Sequence, residues 1–171
     1  MTLGRFGTKT EYTSNLPAVS VLFICHGNIC RSTMAQSVMA HLAAEAGESD
    51  LWVIDSAATS AEELGNPPHP GTKAELARHG IPCLPHRARK LRADEADAWD
   101  LIVYMDDENL WGLRRILGRA FEESRVRPLL SFADPGYAHG RTEVADPWYT
   151  GDFEATFQDV LAGCEGMLRH G

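Results

Sequence analysis

The sequence predicts an α/β fold in which helices cover both faces of a parallel β-sheet. Short apolar runs rich in β-branched residues alternate with segments of helical periodicity along most of the 171 residues. Such alternation is typical of parallel strands joined by crossover helices. Because 44 % of the residues are apolar and the composition does not shift along the chain, we expect one domain with a substantial core.

Four strands are predicted from the apolar runs, at residues 19–24, 51–55, 101–105 and 127–130. Each run has the length of a strand. None approaches the roughly 18 apolar residues that a membrane-spanning helix needs. We therefore expect a soluble protein that does not enter a membrane.

Five helical segments are predicted, at residues 32–46, 71–79, 93–98, 107–117 and 153–169. Gly47 ends the first, and Gly80, shortly before Pro82, ends the second. The apolar residues of the last segment recur at helical spacing and indicate a face packed in the core. Two long loops remain, at residues 58–70 and 131–152, and loops at the carboxyl edge of a parallel sheet are where binding residues collect.

Residues 25–32 read CHGNICRS and lie between the first predicted strand and the first predicted helix. A strand that turns into a helix presents backbone amides and the positive end of the helix dipole to an anion. A thiol there, beside Arg31, is expected to ionise below the pKa of about 8.5 of a free cysteine. The segment therefore predicts an anion-binding loop, residues 26–32, with Cys25 as a nucleophile.

The other residues of this loop suit phosphoryl chemistry. Arg31 lies six positions after Cys25, so its planar guanidinium can return over the same anion. Gly27 permits close approach of the backbone, and Asn28 tolerates a left-handed conformation. Ser32 can either cap the helix or donate a hydrogen bond to the sulfur. The alternative is a buried, unreactive Cys25 with Arg31 as a surface charge.

A carboxyl group is expected on the loop of residues 131–152, because expulsion of an oxygen leaving group needs a proton donor. Asp146 is favoured, since Pro147 keeps it extended and the two aromatic residues that follow can stack on a flat substrate. Asp134 is the alternative, although the residues after it are more typical of a turn.

Charge and cysteine usage restrict the partners and the compartment. A net charge of −8 predicts no binding to nucleic acid, so a phosphate site must be local. The one basic cluster, residues 86–92, is either a solvated face or the positive rim of the site. The four cysteines show no paired spacing, and a nucleophilic Cys25 needs a reducing compartment, which favours the cytoplasm.

Residues 1–17 are polar and are expected to form a flexible extension before a domain of residues 18–171.

Five motifs occur in order along residues 19–168: Cys25-x-Gly27-Asn28-x-Cys30-Arg31-Ser32, Asp55-Ser56-Ala57, Gly80-Ile81 with His86-x-Ala88-Arg89, Met105-Asp106 with Asn109-Leu110, and Asp146-Pro147-Trp148-Tyr149. Together they resemble the motifs of the low-molecular-weight protein tyrosine phosphatases. The resemblance implies a single-domain three-layer sandwich whose four-stranded parallel sheet has the order 2-1-3-4.

The resemblance also implies a two-step hydrolysis of phosphotyrosine in proteins, or of small aryl phosphates, without a metal or cofactor. Cys25 would form a cysteinyl-phosphate held by Arg31 and the loop amides of His26, Gly27, Asn28, Ile29, Cys30, Arg31 and Ser32. Asp146 would protonate the leaving group and then activate water. A hydrogen-bond network of Asn28, Ser32, Ser56 and His86 would hold the loop, and Cys30 would be a reversible redox guard or simply a buried thiol.

One departure from the family pattern concerns the substrate slot. Several members place an aromatic wall after the second strand, where this chain has residues 60–64 with Glu62 among them. Trp148 then becomes the main candidate for ring stacking, with Tyr149 beside it. Glu62 and Glu63 are expected to repel acidic phosphopeptides.

Two other functions remain open from the sequence. Arsenate reduction is supported by the same fold, but an internal relay needs two further cysteines close together, and Cys83 and Cys164 are far apart. A noncatalytic phosphate-binding regulatory module would keep the fold without needing nucleophile, arginine and acid together. A monomer or weak dimer is expected for the chain.

Overall fold

The computed structural model describes residues 18–170. Four parallel strands form one sheet in the order β2-β1-β3-β4. They are β1 (Val19–Cys25), β2 (Trp52–Ala58), β3 (Leu101–Tyr104) and β4 (Val126–Pro128). The predicted parallel sheet and its strand order are confirmed.

In the described part of the chain, six α-helices accompany the sheet: α1 (Arg31–Glu45), α2 (Pro70–Arg78), α3 (Asp107–Leu117), α4 (Pro135–Ala138), α5 (Pro147–Thr150) and α6 (Phe153–His170). The predicted segment at residues 93–98 is a 3₁₀-helix, Ala93–Ala98. The long predicted helices lie within one residue of their expected ends. Helices α4 and α5 fall inside the predicted loop of residues 131–152, and both begin at an Asp-Pro pair.

Alternate residues of β1 face two separate hydrophobic clusters. Val21 and Phe23 pack in the larger cluster, which holds the apolar faces of α1, α2 and α6. Leu22 and Ile24 pack in the smaller cluster with α3. Burial on both faces explains why this strand reads as a continuous apolar run, and it gives the molecule three layers.

The strand ends differ from the prediction for identifiable reasons. β4 ends at Pro128, which has no amide hydrogen for the ladder, and Leu129–Ser131 form a 3₁₀-helix. β3 ends at Tyr104 because the amide of Met105 donates to Oδ1 of Asn109 at 3.1 Å and its carbonyl accepts from Val144. β2 extends to Ala58 because it stays paired with β1 up to Cys25.

Among residues 18–170, no helix combines the length and the hydropathy that would let it cross a lipid bilayer. The expected extension of residues 1–17 lies outside the described residues.

Candidate active site

The anion-binding loop joins the carboxyl end of the central strand to the first turn of α1. Cys25 is the last residue of β1 and is buried. Asn28 has a φ of +60°, the left-handed conformation that its residue type tolerates, and its amide points at Sγ of Cys25 over 3.3 Å. The first turn of α1 has no side-chain cap within the described residues. Its amides are therefore available to an anion.

The side chain of Asn28 braces the loop internally through Ser32 and connects it to two other segments. Its Nδ2 donates to Oγ of Ser32 at 2.8 Å and to Oγ of Ser56 at 3.0 Å, while its Oδ1 accepts from the amide of Arg89 at 3.1 Å. Oγ of Ser56 donates in turn to Oε1 of Gln36 at 2.6 Å. Asn28 is fully buried, so these bonds hold the loop from behind.

Ser32 is the link between this network and the thiol. Its Oγ lies 3.0 Å from Sγ of Cys25. Because Oγ already accepts a hydrogen from Asn28, its own hydroxyl hydrogen is free to point at the sulfur. Of the two roles considered for Ser32, the structure therefore favours the bond to sulfur over a helix cap.

His86 supports the loop through the backbone. Its Nε2 lies 2.9 Å from the carbonyl oxygen of Asn28, and since a carbonyl only accepts, Nε2 carries the hydrogen. Burial lowers the pKa of His86 below its ordinary value of 6.5 despite this bond. The imidazole is therefore held as the neutral tautomer with its hydrogen on Nε2.

The basic cluster of residues 86–92 resembles a solvated face more than a positive rim, because Arg87, Lys90 and Arg92 are exposed and Arg89 is partly buried. Arg89 pairs with Asp55 and, through two bonds of 3.0 Å, with Glu95, while its amide reaches Asn28. The segment crosses behind the anion-binding loop and does not line the cavity that contains Cys25. The prediction of a positive rim is wrong because carboxylates on other segments neutralise its central arginine.

Arg31 is anchored at one end and loosely held at the other. Nη1 donates to Oδ2 of Asp106 at 2.7 Å and to the carbonyl of Val144 at 2.8 Å. Among residues 18–170, Nη2 reaches only Oδ2 of Asp146, at 3.3 Å. Burial lowers the pKa of Arg31, but the charges of Cys25, Asp106 and Asp146 outweigh it and raise the pKa above its usual value. The guanidinium thus keeps its charge, and Nη2 is the end available to a ligand.

The two candidate acids occupy different places. Asp146 lines the same cavity as Cys25, with its side chain 23 % exposed. Asp134 lines a separate pocket together with residues of α6, including Glu165 and Arg169. The preference for Asp146 agrees with this placement.

A cavity of about 300 Å³ contains the reactive groups. Its walls are formed by Cys25, His26, Gly27, Ile29, Cys30, Arg31, Glu62, Glu63, Glu108, Asp146, Trp148 and Tyr149. Trp148 and Tyr149 are exposed, and the ring of His69 meets that of Trp148 edge-on at 5.9 Å. The three residues expected in a substrate slot, Glu62, Trp148 and Tyr149, are therefore all at its walls.

The mouth of the cavity carries an acidic rim, formed by Glu62, Glu63 and Glu108. The rim lies close to the anion-binding loop because the amide and hydroxyl of Ser60 both donate to the carbonyl of His26. Nε2 of His26 lies 3.0 Å from Oε2 of Glu62, and its Nδ1 lies 3.6 Å from Oε1 of Glu108. The loop imidazole therefore sits between two carboxylates.

The remaining cysteines differ from Cys25 in setting. Cys30 also lines the cavity, and burial together with the charge of Cys25 raises the pKa of its thiol to about 12. Cys164 is fully buried on α6, and burial raises the pKa of its thiol well above the usual range. Both therefore keep their protons at neutral pH and are poor nucleophiles.

Several site residues were not assigned a role from the sequence. In the sequence Asp106 stands out only as part of a motif, although its position near the end of β3, at the carboxyl edge of the sheet, is a signal for function. Glu108 on α3, Gln36 on α1 and the ion pairs of Arg89 carry no comparable local signal. Their contacts depend on how distant segments pack.

The fold and cavity define a class of protein: an α/β domain that presents a thiol, an arginine and a carboxyl group to an anion. A family model described as low molecular weight phosphotyrosine protein phosphatase matches residues 20–170. The low molecular weight protein-tyrosine-phosphatase YfkJ of Bacillus subtilis (strain 168) is 39 % identical over 150 residues, covering 88 % of this chain and 94 % of that protein.

A human relative, the low molecular weight phosphotyrosine protein phosphatase, is 37 % identical over 151 residues, covering 87 % of this chain and 93 % of its own. The crystal structure of YfkJ superposes with a TM-score of 0.84, at 38 % identity, over 91 % of this chain and 96 % of that one. The chain belongs to the low molecular weight phosphotyrosine protein phosphatase family.

Proposed function

We propose that this protein hydrolyses phosphotyrosine in proteins, and small aryl phosphates, with Cys25 as the nucleophile and Asp146 as the acid. One observation carries the proposal: the thiol, the free end of Arg31 and the carboxyl of Asp146 all face one cavity. Family membership supports the reaction, and the geometry supports the assignment of residues.

In the first step Sγ of Cys25 attacks phosphorus, so that an S–P bond forms as the bond to the phenolic oxygen breaks. Arg31 and the free amides of the loop hold the three equatorial oxygens, where charge is greatest. Asp146 gives its proton to the departing oxygen. The products are a tyrosine side chain and a cysteinyl-phosphate.

In the second step the carboxylate of Asp146 takes a proton from water, and that water attacks phosphorus. The S–P bond breaks, and inorganic phosphate and the thiolate are released. The hydroxyl of Ser32, directed at the sulfur, stabilises the thiolate as it leaves. Neither step requires a metal or cofactor.

The loose contact of Nη2 of Arg31 suggests how Asp146 becomes an acid. An incoming phosphate competes with the Asp146 carboxylate for Nη2, whose bond to it is long at 3.3 Å. The other end of the guanidinium stays anchored by Asp106. Transfer of Nη2 to the phosphate releases the carboxyl of Asp146 from the arginine, so that it can donate to the leaving oxygen.

The substrate ring is expected to lie against Trp148 and Tyr149 in the cavity that Glu62 also lines. The buried network of Asn28, Ser32, Ser56 and His86 acts through the loop, so these are positioning residues. Cys30 is proposed as the guard: a peroxide oxidises Cys25 to a sulfenic acid, which removes the thiolate charge beside Cys30, and the sulfur of Cys30 then displaces water to form a disulfide. A reducing cytoplasmic location and a monomer or weak dimer complete the proposal.

The same observations give less support to the two alternative functions, arsenate reduction and noncatalytic phosphate binding. Arsenate reduction by an internal relay would need a second accessible thiol pair, whereas Cys164 is buried and Cys83 lies outside the cavity. A noncatalytic module would not need an acid beside the arginine.

A direct comparison of turnover tests the function. Wild-type protein is expected to hydrolyse an aryl phosphate, and Cys25→Ser to lose that activity by several orders of magnitude. The same preparations are assayed for arsenate reduction. Equal hydrolysis by both proteins, or arsenate reduction without hydrolysis, would overturn the proposal.

A further inference from the structure

A cluster of metal-ligating side chains lies outside the cavity, where α2 meets the first turn of α6. Nε2 of His79 is 3.1 Å from Oε1 of Glu75 and 3.0 Å from Oε2 of Glu154. The three ligand atoms all lie within 4.8 Å of one another. Two carboxylate oxygens thus converge on a single imidazole nitrogen.

One hydrogen cannot satisfy this arrangement. Nε2 carries at most one hydrogen, which can point well at one of the two oxygens only. Glu75 is fully buried, and its other oxygen accepts from the guanidinium of Arg78. Arg78 therefore compensates the charge of Glu75, while Glu154 is half-exposed and its other oxygen accepts from Nε2 of Gln158 at 2.8 Å. A cation placed between the three ligand atoms would bind both carboxylate oxygens and the imidazole nitrogen at once, which one hydrogen cannot do.

The spacing fits a small divalent ion. Zinc binds imidazole nitrogen and carboxylate oxygen at about 2.0–2.2 Å in tetrahedral geometry, which places ligand atoms roughly 3.3–3.5 Å apart. The observed separations of 3.0 and 3.1 Å need only a small outward movement. Glu75 and His79 are four residues apart on consecutive turns, so they face the same direction.

The orientation of the imidazole is set before any ion binds. The ring of His79 stacks on Phe157 of α6, with centroids 3.7 Å apart and planes 8° from parallel. Arg78 holds Glu75 through the oxygen that does not face Nε2. Such outer contacts orient the ligands of metal sites in proteins.

We propose that Glu75, His79 and Glu154 bind a first-row divalent cation, with Zn²⁺ favoured by the imidazole-carboxylate donor set and water as the fourth ligand. The ion would tie α2 to the first turn of α6. In that turn Oγ1 of Thr156 donates to the carbonyl of Ala145, the residue before Asp146. The site is structural and steadies the segment that carries the acid.

The test is a calorimetric titration with ZnCl₂ of the full, untagged chain carrying Cys25→Ser, which removes the thiol that would compete for zinc. One-to-one saturable binding is expected. In the same background, Glu154→Gln should weaken binding by at least about tenfold. Glu154 is exposed, so this variant should fold, whereas Glu75→Gln would disturb a buried group.

Glu165→Gln is the matched control, since Glu165 is an exposed residue of the same helix. It should bind zinc with the affinity of the parent. Saturating zinc should raise the melting temperature of the parent and of this control by several degrees, and not that of Glu154→Gln. Co²⁺ should show the visible absorption of a low-coordinate site.

Two results would overturn the proposal. One is the absence of saturable zinc binding up to about 1 mM. The other is equal affinity in the parent and Glu154→Gln, which would place the ion elsewhere.

Discussion

Two short helices of this molecule are almost the same locally and differ in what surrounds them. Both α4 and α5 have four residues, proline in the first turn and an aspartate cap, Asp134 or Asp146. Each cap accepts a hydrogen bond from the amide two residues on, at 2.7 and 3.0 Å. Only Asp146 faces Arg31 and Cys25, so position in the fold, and not local structure, separates a cap from an acid.

The tyrosines that follow the two caps differ in the same way. Tyr137 donates to the buried carboxylate of Asp159 at 2.7 Å, and Arg141 pairs with the same group through two bonds. This contact holds the α4 segment against α6. Tyr149, by contrast, is 83 % exposed at the wall of the cavity. One Asp-Pro helix is therefore attached to the core, and the other is open to a substrate.

Replacing each aspartate with asparagine is the strongest test of the difference between Asp134 as a cap and Asp146 as an acid. Asparagine still caps a helix but cannot donate an acidic proton. Asp146→Asn should slow turnover of phenyl phosphate by roughly 10² to 10⁴, and much less with a leaving group that departs as a stable anion. Asp134→Asn, the matched control, should retain wild-type turnover. Steady-state rates on both esters decide it, and equal losses in the two variants would contradict the assignment.

The charge around the two helices offers a smaller test. Asp146 shares its cavity with the acidic rim, whereas the pocket of Asp134 also contains Arg169 and His170. Phosphotyrosine peptides with lysine beside the phosphotyrosine should have a higher kcat/KM than those with glutamate, by about 2- to 5-fold for each exposed charge pair.

Glu62→Gln should narrow that difference and should affect much less the hydrolysis of a small aryl phosphate whose ring carries no charged group. It is the appropriate rim variant because glutamine can still bond to His26. The preference should also weaken as salt is added. If the ratio of kcat/KM for the two peptides is the same in wild type and in Glu62→Gln, Glu62 does not contribute to substrate selection.

The aspartate cap of α4 should contribute to stability, and it can be tested without disturbing the cavity. Asp134→Ala removes the side-chain oxygen that accepts from the amide of Gly136. The expected loss is about 1 kcal/mol of the free energy of unfolding, and Asp134→Asn should lose much less. Urea denaturation measures both. A loss that is the same for alanine and asparagine would mean that the cap is not the cause.

The smallest expected effect concerns the neutral imidazole behind the loop. Burial lowers the pKa of His86 in the folded protein below the ordinary value of 6.5. As the pH falls below 6.5, the unfolded chain therefore binds a proton at His86 more readily than the folded protein does. The corresponding stability is present above pH 6.5 and is lost as the pH falls toward the folded-state pKa. Urea unfolding across this range should show a shallower pH dependence for His86→Gln than for wild type. Parallel curves would contradict a neutral His86.

Much of the fold could be predicted because its signals are local. Burial of β1 on both faces produces its apolar run, and glycine ends α1 and α2, as predicted from Gly47 and Gly80. The boundaries that shifted are those set by pairing or by distant side chains. Met105, for example, leaves β3 because Asn109 and Val144 take its backbone groups.

The sequence by itself determined the strand-loop-helix that carries Cys25, because backbone preference, helix capping and hydrophobic periodicity act over a few residues. It also narrowed the acid to two Asp-Pro pairs. Only the tertiary structure decided between them, anchored Arg31 through Asp106, set Arg89 behind the loop and brought Glu108 to its mouth. Those contacts join residues far apart in the chain. Their free energy depends on how helices and strands pack together, and a short stretch of sequence carries no information about that packing.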